Sequence, residues 1–100
     1  MASGKVAAKP HWKKVYNKIW TIPIDAFTVQ LPYGHHVIFV DGYNASSGER
    51  SGVYMVGAEN ESHVVTVKAS NAVTFSISGT TLTVTPTSSG YVVINIYQME

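Results

Sequence analysis

One hundred residues with a net charge of +1 at neutral pH and no cysteine fit one small domain and exclude both a disulfide framework and a thiolate metal site. Lys5, Lys9, Lys13, Lys14 and Lys18 crowd into the first eighteen residues, so that beyond them two cations, Arg50 and Lys68, face six carboxylates and leave a body of charge −4. That acidic body argues against nucleic acid, which needs clustered surface cations, and no apolar run reaches the ~18 residues of a membrane helix, so no membrane insertion is expected.

The opening "MASGKVAAKPHW" has no apolar core of the kind a secretory signal carries. It reads as a flexible, partly disordered basic leader over residues 1–12, with small residues after Met1 that also resemble an expression leader; a piece of something longer is expected, with one domain over 13–100. "KKVYNKIWTIPI" predicts a strand that begins near Val15 and ends at Pro23. "FTVQL" alternates, with Phe27, Val29 and Leu31 on one face and Thr28 and Gln30 on the other, before Pro32 and Gly34 turn the chain. "HHVIFVD" is apolar on both faces, as a strand covered on both sides would be.

After a polar loop from Gly42 to Gly52 come "VYMVGA" and, past "ENES", "HVVTVKA". "AVTFSIS" and "TLTVT" flank Gly79-Thr80, a two-residue hairpin loop with glycine first, and point Val73, Phe75, Ile77, Leu82 and Val84 inward. "YVVINIYQ" closes the chain with Val92, Ile94 and Ile96 on one side. About eight short, mostly antiparallel strands at this spacing predict an all-β sandwich of jelly-roll or Greek-key type. Three of them carry more apolar residues than one core face needs, so a homo-oligomer is expected.

Local chemistry is sparse. His35 and His36 are adjacent in a strand and point to opposite faces, and six residues at about 3.3 Å each put His35 about 20 Å from Asp41. A metal site would need His63 or His11 to approach from elsewhere, and none is expected. There is no GxSxG or SxxK nucleophile signature and no phosphate loop, since "SGERSG" lacks the Lys-Ser/Thr ending. Asp25, Asp41, Glu49, Glu59 and Glu61 are the carboxylates a glycoside hydrolase would have to draw on, and Glu59 and Glu61 fall in a polar turn. The expectation is therefore a protein that is not an enzyme and carries no cofactor.

"NAS" at Asn44 and "NES" at Asn60 read as turns rather than glycosylation sites. Thr74, Ser76, Thr81, Thr83 and Thr85 make a hydroxyl-rich outer hairpin face that suits exposed strands. Tyr16, Trp20, Tyr33, Tyr43, Tyr54, Tyr91 and Tyr97 are possible stacking platforms for sugar rings. The loop after "HHVIFVD" is long for a hairpin and holds the only arginine. Tyr43, Asn44, Ser46, Ser47, Glu49 and Arg50 are the candidate ligand-binding residues.

"VVTVKASNAVTFSISGTTLTVTPTSSGYVVINIYQ", with its Val/Thr strands, Ser-Gly-Thr hairpin and final "GYVVINIYQ", resembles the C-terminal β-rich tips of bacteriophage tail fibres and related virion appendages. The likeness covers about a third of the chain. It implies a homotrimeric module, virion-borne or extracellular, that binds a host-surface glycan or protein. The alternatives are a purely structural assembly or capping domain of a virion and a monomeric carbohydrate-binding module of a larger protein.

Overall fold

The computed structural model describes residues 11–22, 25–43, 51–87 and 90–99. These form eight strands: β1 (Trp12–Ile22), β2 (Phe27–Gln30), β3 (Gly34–Tyr43), β4 (Gly52–Ala58), β5 (His63–Lys68), β6 (Val73–Ser78), β7 (Thr81–Pro86) and β8 (Gly90–Met99). They build a five-stranded sheet in the order β1-β8-β3-β4-β5 and a three-stranded sheet in the order β2-β7-β6, with every pairing antiparallel. The all-β sandwich expected from the strand spacing is the observed fold. β1 beside β8 and β2 beside β7 are the nested pairs of a jelly roll, whereas β3, β4 and β5 stay together as a meander.

Alternation along each strand decides which residues enter the core. In the small sheet, Phe27 faces Val84, which faces Phe75, and Val29 faces Leu82, which faces Ile77; residues directly opposite share a face, so this row is inward, as its sequence predicts. Val29, Val73, Leu82 and Val84 are buried, and they meet buried Ile38, Val40, Tyr54, Val56, Val92, Ile94 and Ile96 of the large sheet in one cluster. Phe75 sets its ring edge-on to Tyr54 at 4.8 Å between centroids.

Polar side chains tie the sheets where the chain crosses between them. The Ser70 amide donates to the Tyr54 hydroxyl at 2.7 Å, and Ser70 Oγ accepts from the Ala72 amide. Ser62, in the turn before β5, accepts from the Gly79 amide at 3.0 Å. Gly79 has φ +59°, a conformation that glycine adopts without steric cost, which is why the hairpin loop is legible in the sequence.

β1 starts at Trp12, three residues before the predicted start. The register slips between Lys14 and Tyr16, where Val15 is an extra residue against β8. A bulge of this kind reverses the alternation beyond it, so the segment does not read as one strand although its ladder runs on to Trp12 opposite Met99.

Candidate functional site

The five-stranded sheet has one face on the core and one turned outward. Register places Lys14, Tyr97, Val37, Met55 and Val65 in one row across all five strands, and Asn17, Asn95, Phe39 and Val53 in the next. This outer face is where the surplus apolar residues of "HHVIFV" and "YVVINIY" sit. β3 is thus covered on its core side only: Val37 is nearly closed off by its neighbours at 6% exposure, but Phe39 is 46% exposed. Trp12, Ile19, Met55, Val65, Tyr91 and Met99 are also exposed.

At the centre of the face, Trp12, Val37, Phe39, Asn95 and Tyr97 line a hollow of about 450 Å³. Phe39 and Tyr97 meet edge to face at 5.9 Å, and the Lys14 ammonium stands 5.7 Å from the Tyr97 ring centre, a cation–π contact. Asn17 Nδ2 donates to Asn95 Oδ1 at 2.9 Å and to the Ile94 carbonyl at 3.2 Å. Such a face can dock an apolar surface or stack a ring.

Of the candidate ligand residues, Tyr43 ends β3 with its backbone opposite Tyr91. Asn44, Ser46, Ser47, Glu49 and Arg50 lie outside the described residues. Among the aromatic candidates, Trp20 and Tyr54 are core residues and Tyr33 is 65% exposed. Among the described side chains of these candidates, only Tyr97 lines the hollow; its partners Trp12, Phe39 and Asn95 were not among the candidates. Alternation within "HHVIFVD" does mark Phe39 as sharing a face with Val37, but what lies opposite is fixed by long-range register, and Trp12 falls in the segment read as leader.

The histidines divide as alternation requires. His35 is on the outer face, its Nε2 3.0 Å from a Glu59 carboxylate oxygen, so Glu59 has a partner where a merely solvated turn was expected. His35 lies opposite Gly57 and Gly57 opposite His63; a whole strand separates the two histidines, and among the described residues no three His, Asp or Glu side chains converge on a metal position. His36 is fully buried on the core face. Its Nδ1 donates to the Gly34 carbonyl at 3.1 Å, while its Nε2 has no partner. Burial lowers its pKa from the ordinary value, against a smaller opposing effect of the Gly34 bond, and His35 adds to the lowering.

No protein-family model and no curated protein sequence matches the chain. Among solved structures, it is similar to a tailspike protein of the Acinetobacter baumannii bacteriophage Fri1, a capsular polysaccharide depolymerase, with a TM-score of 0.62 and 14% identity over 91% of this chain and 18% of that one. The fold is one that a phage tailspike uses. A tailspike protein of Acinetobacter phage vB_ApiP_P1 gives a TM-score of 0.47 and 15% identity over 99% of this chain and 24% of its own. The chain therefore spans less than a fifth of the Fri1 tailspike, and the likeness to phage tail appendages seen in the C-terminal strands holds at the level of the fold.

The same likeness corrects the expectation that this is not an enzyme. The protein that shares the fold is a depolymerase, an enzyme. Motif spacing in one short stretch detects only sites that neighbouring residues complete. A site assembled from separate strands or segments is defined by geometry and leaves no such spacing.

Proposed function

We propose that this chain is a self-associating sandwich domain of a tailspike-like virion appendage that acts on a surface polysaccharide. The observation that carries the first half is the apolar outer face of the five-stranded sheet. Five strands about 4.8 Å apart, over a length of about 27 Å, make a face of about 600 Å². That whole face, its polar residues included, matches the largest apolar patches that monomers expose and lies at the low end of what each partner buries in a stable interface. The occupant that fits is a second copy, because His35, His63 and Asp41 lie toward the margins and Lys14, nearer the middle, is set against the Tyr97 ring, which leaves few like charges to oppose each other. Three copies around an axis is the arrangement that the resemblance to virion appendages favours.

Light scattering across the micromolar range tests this. The wild-type chain should assemble, as a trimer, and Phe39→Glu should be monomeric with an unchanged circular dichroism spectrum, since Phe39 points away from the core. A wild-type chain that stays monomeric at every concentration overturns the self-association; if that monomer still binds capsule, the carbohydrate-binding-module reading takes its place.

The polysaccharide half rests on the Fri1 tailspike, a capsular polysaccharide depolymerase of the same fold. Its contact on this chain we place at Tyr43 and the residues Asn44, Ser46, Ser47, Glu49 and Arg50 that follow it. Co-sedimentation with purified capsular polysaccharide should weaken about fivefold to tenfold in a Tyr43→Ala, Arg50→Ala double variant, the loss of one stacking and one charge-assisted contact. Equal retention of wild type and variant would remove the loop from the site.

A further inference from the structure

The middle of the apolar face contains one polar interruption. Asn95 is the central outward residue of β8, and its four neighbours on the face are Phe39, Val93 and Tyr97, all apolar or aromatic, and Asn17. Asn17 Nδ2 uses both its hydrogens, on Asn95 Oδ1 and on the Ile94 carbonyl. That leaves one acceptor, Asn17 Oδ1, and the two donors of Asn95 Nδ2 for water or a partner. In a single chain, water satisfies them. Once a second copy covers the face, an amide facing Phe39 or Val93 of that copy has lost water and gained nothing, which costs more than one hydrogen bond returns.

We propose that the Asn17–Asn95 pair selects the register and the copy number of the interface, with Asn95 Nδ2 of one copy donating to Asn17 Oδ1 of the next. The pair is self-complementary, so copies related by rotation about one axis satisfy it together where the angle between their faces brings Asn95 Nδ2 to Asn17 Oδ1, and slipped assemblies or those with another angle leave it buried and unmet. A lone asparagine in an apolar coiled-coil seam acts by the same physics: it lowers affinity and narrows the outcome to one arrangement. This inference rests on the self-association proposed above.

The experiment is sedimentation velocity and native mass spectrometry on wild type, the single variants Asn95→Val and Asn17→Val, and the double variant that replaces both amides by valine. Wild type should give one stoichiometry. The double variant should associate more tightly, by about tenfold in dissociation midpoint, and should distribute over several stoichiometries, whereas either single variant leaves the other amide buried without its partner and should associate more weakly. A double variant that keeps the single wild-type stoichiometry, at any affinity, overturns the selector role and leaves self-association standing. A wild-type chain monomeric throughout overturns both, through the reading on which this one depends.

Discussion

At the level of single side chains, His36 shows how burial turns a titratable group into a stability term. Its Nδ1–H is donated to the Gly34 carbonyl, while Nε2 is buried without a partner, so a proton added there would find no acceptor. Its pKa is lowered in the fold, chiefly by burial, while in the unfolded chain it stays near 6.5. Between those two values the unfolded chain binds the proton and the folded one does not, so stability is whole above about pH 6.5 and falls as pH drops toward the lowered native value. Urea midpoints at about pH 8 and about pH 5 should differ in wild type by more than in His36→Leu, which has nothing to protonate at that position. Equal drops in the two proteins would remove His36 as a source of acid lability. The sequence predicted that His35 and His36 would separate, because alternation is a local rule. That one would be sealed in the core and the other bonded to Glu59 depends on which face the sandwich covers.

Among the elements, those with clean alternation were legible and those with irregular backbone were not. "FTVQL" and the β6–β7 hairpin carry their inward residues at every second position, and both face the core as read. β1 hides its first three residues behind the bulge at Val15, and that cost the reading Trp12. The end of β3 shows a different constraint. Gly42 lies opposite Val92, and a Cβ at Gly42 would fall 2.2 Å from the Tyr91 carbonyl oxygen. Both sides of that contact are backbone, so neither can swing away as a side chain would. Gly42→Ala should therefore lower stability by about 1–3 kcal/mol in urea denaturation. A change under about 0.5 kcal/mol, within the range of ordinary surface substitutions, would mean that β3 is not held against β8 at that point.

For the molecule as a whole, the sequence announced an excess of apolar residues and the sandwich shows where it goes. Counting faces was enough to expect an uncovered surface. Composition could not locate it, because the hollow draws on residues 12, 37, 39, 95 and 97, and only strand order brings those numbers together. The non-enzyme expectation is corrected by a likeness of fold to a depolymerase, and local spacing does not register a likeness of fold. The pairing of the first strand with the last has a mechanical consequence. Trp12 lies opposite Met99, so the start of β1 and the end of β8 lie at the same end of the same antiparallel ladder. Tension applied between them would open that ladder as a zipper, one bonded pair at a time from the Trp12–Met99 end, instead of loading all its pairs at once in shear. A domain strung this way yields at low force along its own chain. Load carried by an appendage would be better borne across the faces of neighbouring copies, where many contacts must break together.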